Sequence, residues 1–203
     1  MARISEEQRR RDLIDAAVEV IAEKGVVGAT TRLIADRANS PLTMIHYCFG
    51  SKEELFYAII EQLASTQFEE ALHVRPGVGL GRAAATVMRQ VGQWLYDTGA
   101  YGRTQMELTT WIVRENAERA RKLYDLTLDV FAAKLREGLR PDDDEQLVDV
   151  IARMIASYGD GSVLQNLAYA EDKALYETCL ESMAEALERL ADSHRVVPTA
   201  AAV

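Results

Sequence analysis

The chain is poor in the residues that support extracellular or metal-dependent chemistry. Two cysteines, Cys48 and Cys179, in 203 residues cannot staple a disulfide framework, and a chain of this length buries a core without one. The three histidines, His46, His73 and His194, stand singly, so no cluster with metal-ligand spacing forms. No run reaches the roughly 18 uninterrupted apolar residues that a membrane span requires. The stretch from Met1 to Arg11 lacks the apolar segment of a signal peptide. Nucleophile elbow, P-loop and paired-glycine fingerprints are missing too. The run from Gly77 through Gly79 to Gly81 is glycine-rich, but no strand pattern precedes it, which argues against a nucleotide cradle. These absences lead to the expectation of a cytoplasmic protein that is not an enzyme and carries neither metal nor cofactor.

Sustained alternation of apolar and polar residues is also missing, whereas helical spacing recurs throughout. Leu13, Ala16, Ala17, Val20 and Ile21 fall on one helical face, as do Phe56, Ile59, Ile60 and Leu63, then Val87, Val91, Trp94 and Leu95. Leu147, Val148, Ile151, Ile155 and Tyr158 repeat the pattern, followed by Leu175, Tyr176, Cys179, Leu180, Met183, Leu187 and Leu190. Hydrophobic residues at 48% and charged residues at 27% exclude wholesale disorder. The prediction is an all-α fold of about nine helices at 6–24, 31–38, 41–48, 52–74, 81–98, 103–116, 118–138, 143–169 and 172–193, with a disordered tail over 195–203. The four prolines, Pro41, Pro76, Pro141 and Pro198, fall at these boundaries or in the tail. Ser5 with Gln8, and Ser51 with Glu54, fit the capping box. Thr30 suits an N-cap, and Gly25 a helix stop.

The net charge of −9 is unevenly spread. Residues 1–52 hold eight Lys and Arg against seven Asp and Glu, while the remainder holds fifteen against twenty-five. An acidic total is therefore compatible with one face that meets nucleic acid. Three short helices in the first fifty residues, the second and third joined by a tight turn, form a helix-turn-helix pattern that presents its last helix to the major groove. Asn39 suits the left-handed position of that turn, with Ser40 as N-cap and Pro41 as first helical residue.

At this point the sequence resembles the tetracycline-repressor-like (TetR family) transcriptional regulators. The likeness is carried by Leu13 to Ala17, Glu23-Lys24-Gly25, Thr30-Thr31, Ile34-Ala35, Ala38 and the run from Phe49 to Leu55, about fifty residues without a gap. Asn39, Thr43, His46 and Cys48 depart from the family's usual residues, which bears on the operator read and not on the fold. The resemblance implies a DNA-binding domain at 1–52 and a ligand-binding and dimerisation domain at 53–194. It also implies DNA contacts from Arg10, Thr31, Arg32, Thr43, His46, Tyr47 and Lys52. Lys52 opens a helix whose free amides favour a phosphate, while Thr43, His46 and Tyr47 are candidates for base edges or adjacent phosphates. Cys48 reads as a small hydrophobe or a redox switch.

Beyond residue 62 the likeness is architectural, implying an effector site within a helical bundle and a homodimer through the last two helices. Trp94, Tyr101, Met106, Trp111, Tyr124, Phe131, Met154, Tyr158 and Tyr169 are large enough to line such a site, with Asn166, Gln105 or Asp160 as polar handles. Each also fits a plain core or solvated role. Gly159 and Gly161 suggest either a kink or a close helix approach. Leu175, Cys179, Met183, Leu187 and Leu190 form the candidate dimer face. The expected function is a repressor that binds a palindromic double-stranded DNA operator as a homodimer and is released by a small apolar or aromatic effector. An acidic helical protein-interaction module without DNA binding is the alternative.

Overall fold

The computed structural model describes residues 5–62, 68–97, 99–169 and 171–195. The tail expected to be disordered lies, apart from Arg195, outside the described residues. The described residues form helices α1 (Glu6–Gly28), α2 (Thr31–Arg37), α3 (Thr43–Phe49), α4 (Lys52–Gln62), α5 (Phe68–Ala71), α6 (Leu80–Asp97), α7 (Ala100–Glu115), α8 (Ala117–Glu137), α9 (Leu147–Ala168) and α10 (Lys173–Ser193), with no strand among them. The helix expected over 52–74 is thus described as α4 and α5, with 63–67 outside the described residues. The chain divides into two compact units, one of Met1–Ala64 and Thr98–Leu123, the other of Ser65–Asp97 and Tyr124–Val203.

In the first unit α1 buries Leu13, Ala16, Ala17, Val20 and Ile21, the face that the spacing predicts. Ser5 accepts the Gln8 amide at 3.1 Å, but the Gln8 side chain donates to Asp12 at 2.8 Å instead of closing the capping box. Gly25, at φ +70° and ψ 167°, stops the first helical stretch as expected, and the chain then makes a further short turn to Gly28, with the Val26 amide donating to Glu107 of α7 at 3.3 Å. Two further side chains of α7 grip α1: the Tyr101 hydroxyl donates to Asp15 at 2.9 Å, and the buried Thr104 hydroxyl donates to the Val18 carbonyl at 2.9 Å. Trp111 packs against Phe56 and Tyr57 of α4 at ring separations of 5.6 and 5.4 Å. The unit that carries residues 1–52 therefore also includes α4 and α7.

In the second unit α6 packs against α9 and, most extensively, α10. Glycine permits that approach: a Cβ on Gly81 would stand 2.8 Å from the Glu188 carbonyl oxygen, and one on Gly92 would run into Leu180. Gly159 likewise admits Leu95, whereas a Cβ on Gly161 would meet open space, and α9 continues past both without a break, so close approach explains Gly159 and nothing in the packing explains Gly161. Phe68 meets Trp94 and Phe131 at 4.9 and 5.2 Å, making an aromatic core.

Candidate nucleic-acid interface and effector site

The turn between α2 and α3 rests on Asn39 at φ +47°, the only described non-glycine residue with a positive φ. Asparagine tolerates this left-handed conformation better than other side chains with a Cβ. Thr30 accepts the Leu33 amide at 3.3 Å and starts α2 as expected. The start of α3 differs from the expectation. Ser40 and Pro41 precede the helix; the Pro41 carbonyl accepts the Met44 amide at 2.9 Å and the Leu42 carbonyl accepts the Ile45 amide at 3.2 Å. These bonds skip three residues, so a tight turn takes the place of a side-chain cap, and α3 begins at Thr43.

Ile45 and Cys48 face inward on α3, which agrees with Cys48 as a small hydrophobe, while burial pushes its thiol pKa up. Thr43, His46 and Tyr47 lie on the opposite, exposed face at helical spacing, with Tyr47 69% exposed. His46 Nδ1 stands 3.0 Å from the Gly50 carbonyl oxygen. A carbonyl only accepts, so Nδ1 carries the hydrogen there, and in the tautomer with that single ring hydrogen Nε2 is an acceptor. Such a nitrogen suits the exocyclic amines of cytosine or adenine in the major groove. Thr31 and Arg32 open α2, and Lys52 opens α4 with its ammonium 5.3 Å from the Phe56 ring centroid. Among the described residues Arg32 and Lys52 enter no ion pair, whereas Arg37 is held by Glu19 and Glu23, and Arg11 by Glu7.

Arg10 has a role within the fold as well: its guanidinium donates to the Cys48 carbonyl and lies 4.3 Å from the Phe49 ring centroid, so it ties α1 to the end of α3.

The effector candidates do not form one group. Tyr101, Met106 and Trp111 belong to the first unit, where Tyr101 and Trp111 are committed to Asp15 and the α4 rings. Gln105 on the same helix has its Oε1 buried without a partner, the only such side-chain atom among the described residues. Trp94, Tyr124, Phe131, Tyr158 and Asn166 belong to the second unit. Phe131 is sealed in the ring cluster with Phe68, so it is core. Tyr124 donates to Asp160 at 2.7 Å. Burial raises the pKa of both, and their mutual hydrogen bond raises Tyr124 further while lowering Asp160 in part. Tyr158 is pushed up to about 12, again chiefly by burial.

Of the dimer candidates, Leu187 also needs correction: it is 1% exposed within its own chain and cannot meet a partner. Leu175, 57% exposed, and Cys179 and Met183 instead line an open groove of about 860 Å³ between α9 and α10, together with Tyr158, Asn166 and Tyr169. Leu190 is half-buried. Val150, Met154, Leu164 and Leu167 extend the exposed apolar surface of α9, a set the sequence reading left largely unassigned because α9 is apolar almost all round.

Residues 13–59, which build the turn and carry α3 and most of α4, match the family described as bacterial regulatory proteins, tetR family. The chain is 28% identical over 180 residues to the nicotine-responsive transcriptional repressor HdnoR of Paenarthrobacter nicotinovorans, covering 87% of this chain and 93% of the repressor. The fold is similar to that of a transcriptional regulator from Rhodococcus sp. Rha1, with a TM-score of 0.70 at 22% identity over 93% of this chain and 99% of that one. It is also similar to the multidrug binding protein EbrR complexed with ethidium, with a TM-score of 0.64 at 25% identity over 92% and 99% of the two chains. The family match falls on residues 13–59, which shape the turn and its exposed helix, and the wider likenesses run through the helices beyond, which together indicate a DNA-binding transcriptional regulator similar to the tetR family.

Proposed function

We propose that this regulator is a repressor that binds a palindromic operator as a homodimer and releases it when a small aromatic effector binds. The exposed face of α3 carries the reading: Thr43, His46 and Tyr47 project from a helix whose other side is fixed by Ile45 and Cys48 and whose end is tied by Arg10. Thr43, His46 and Tyr47 reach base edges, while Arg32, Thr31 and the ammonium of Lys52 hold phosphates. A twofold dimer doubles a contact set that is small in one head. The groove between α9 and α10, with Leu175 and Cys179 exposed and Met183 half-buried along it, is the surface a second copy covers. An aromatic effector is supported by the nicotine response of HdnoR, by the ethidium complex of EbrR, and by the buried Gln105 oxygen that still lacks a donor. Selecting genomic DNA fragments with the purified protein tests the reading. A regulator enriches a two-fold symmetric site and binds it with steep salt dependence and a clear specificity ratio. A protein-interaction module does neither. Light scattering at micromolar concentration checks the dimer, and a monomeric mass rejects it.

A further inference from the structure

Ser51 and Glu54 carry the capping-box pattern at the start of α4, and the structure closes only half of it. Ser51 Oγ accepts the Glu54 amide at 3.1 Å. The Glu54 carboxylate does not reach back to the Ser51 amide, as the full motif requires. It turns instead to Arg119 of α8, whose guanidinium donates to its two oxygens at 2.7 Å each. Among the described residues no acceptor takes the Ser51 amide. The first amides of α4 have no partner within the helix either. This helix end therefore offers unpaired donors beside the Lys52 ammonium, which pairs with no carboxylate among the described residues.

The local needs of α8 do not account for Arg119. It stands in the first turn of that helix, where the Asn116 side chain accepts its amide at 2.9 Å. A cation at a helix N-terminus opposes the dipole, which favours a carboxylate there. The Arg119 side chain instead serves α4: it grips Glu54 and lies 3.4 Å from the Tyr57 ring centroid, and Tyr57 packs in turn on Trp111 of α7. All of these contacts stay inside the first unit, although Glu54 and Arg119 are 65 residues apart. The carboxylate that would cover the start of α4 is thus held by a residue outside the stretch 13–59 that matches the family.

We propose that Arg119 is a positioning residue for DNA binding: it keeps Glu54 off the amides that open α4 and so leaves that helix end free for an operator phosphate. That role rests on the phosphate contact assigned above to Lys52 at the start of α4, and names the residue that governs access to it. Without Arg119 the Glu54 carboxylate has the Ser51 amide as its nearest capping partner, and the helix dipole favours its return. Seated there, it competes with a phosphate for the same donors and repels it. Two placements of one side chain, on Arg119 or on Ser51, correspond to an open and a covered helix end.

The test measures binding of the full chain to a DNA fragment that the wild type selects, and to a shuffled duplex, over a series of salt concentrations. Arg119→Ala is expected to weaken both alike, by about tenfold per half-site, the size of one hydrogen bond to a charged group. It also flattens the salt slope by about one per half-site. Glu54→Ala leaves the helix end open and binds at least as tightly as the wild type. Adding Glu54→Ala to Arg119→Ala restores both affinity and slope, although the contact with Tyr57 is still missing. Packing support of α4 alone predicts no such rescue, because removing Glu54 cannot replace that contact. A thermal midpoint for each variant separates lost folding from lost binding. An Arg119→Ala variant that binds like the wild type, or a double variant as weak as Arg119→Ala, overturns the positioning role. Failure of the wild type to bind any duplex, or a Lys52→Ala variant with an unchanged salt slope, overturns the phosphate contact itself instead.

Discussion

The seam between α1 and α7 in the first unit and the seam between α6 and α10 in the second solve the same packing problem by opposite means. Along α7, Tyr101, Thr104 and Glu107 recur every third residue and reach Asp15, the Val18 carbonyl and the Val26 amide of α1. Each bond has a direction, so sliding or rotating one helix breaks it. Along α6, Gly81 and Gly92 omit side chains so that the Glu188 backbone and Leu180 of α10 can come close. Shape alone sets that contact, helped by the Tyr176 hydroxyl donating to the Gly92 carbonyl at 2.7 Å. A DNA-reading face must be held to hydrogen-bond precision, since a displaced donor loses its base. A bundle that encloses or pairs needs complementary volume, which many sequences supply.

The comparison breaks most visibly at Gly81. A Cβ there meets a backbone carbonyl at 2.8 Å and the Asp192 carboxylate at 3.2 Å, and a carbonyl within α10 cannot turn aside. Gly81→Val is expected to destabilise the second unit by about 3 kcal/mol, the upper part of the overpacking range. At Gly92 the obstacle is the end of the Leu180 side chain, which can change rotamer, and the gain in helix propensity of up to about 1 kcal/mol offsets part of the strain. Gly92→Ala therefore costs less than Gly81→Val. Urea unfolding in a Trp111→Phe background, with Trp94 of the second unit as reporter, measures both; equal midpoints for the two variants would show that shape does not govern this seam.

In the first unit the corresponding test is which side chains carry sequence information. Tyr47→Ala should change preference among operators by about 1–3 kcal/mol if a base contact is lost. Lys52→Ala should weaken all sequences alike and flatten the salt slope by about one. Arg10→Ala should also weaken all sequences, because the end of α3 loses its tie to α1, but leave the salt slope as it was. A flattened slope for Arg10→Ala would return that residue to the phosphate contacts.

Local features were legible in the sequence, and pairings across the chain were not. Thr30 as a cap and Asn39 in the left-handed turn follow from side-chain chemistry within three or four residues. Tyr101 to Asp15 spans 86 residues, and nothing in either segment announces the other. Arg10 reads as part of a basic run because its acceptor, the Cys48 carbonyl, is backbone and leaves no trace in composition. On α10, Leu175 and Leu187 obey one apolar period although the first is exposed and the second sealed. Periodicity identifies an apolar residue without saying whether its own chain or a partner covers it. Tyr124 and Asp160 each stand out as effector candidates in the sequence, but their hydrogen bond, across 36 residues, does not.

A smaller effect sharpens the claim that directed bonds hold the α1–α7 seam. Thr104 is fully buried, and its hydroxyl donates to the Val18 carbonyl. Thr104→Val keeps the shape and removes the bond, for an expected loss of about 1 kcal/mol. Trp111 emission in a Trp94→Phe background reads the first unit, and a loss near zero would leave apolar packing as the whole of the seam.

The smallest effect lies at the edge of the same unit, where Arg119 donates twice to Glu54 at 2.7 Å. The hydrogen bond from Arg119 holds the Glu54 carboxyl below its ordinary 4.5, with burial opposing in part. A carboxylate whose folded pKa is depressed adds stability above its unfolded pKa and loses it as pH falls through the folded value. The contribution is therefore whole at neutral pH and fades below about 4.5. Both side chains are more than a third exposed, at 48% for Glu54 and 37% for Arg119, so water screens the pair and about 0.5 kcal/mol is expected. Glu54→Gln should fall short of the wild type by that amount near pH 7, and the gap should narrow as pH falls below about 4.5 and the wild-type carboxylate takes up its proton. The Arg119 guanidinium also lies 3.4 Å from the Tyr57 ring centroid, a contact that acid does not remove. If the gap between Glu54→Gln and wild type persists unchanged at low pH, packing and not the ion pair is its source.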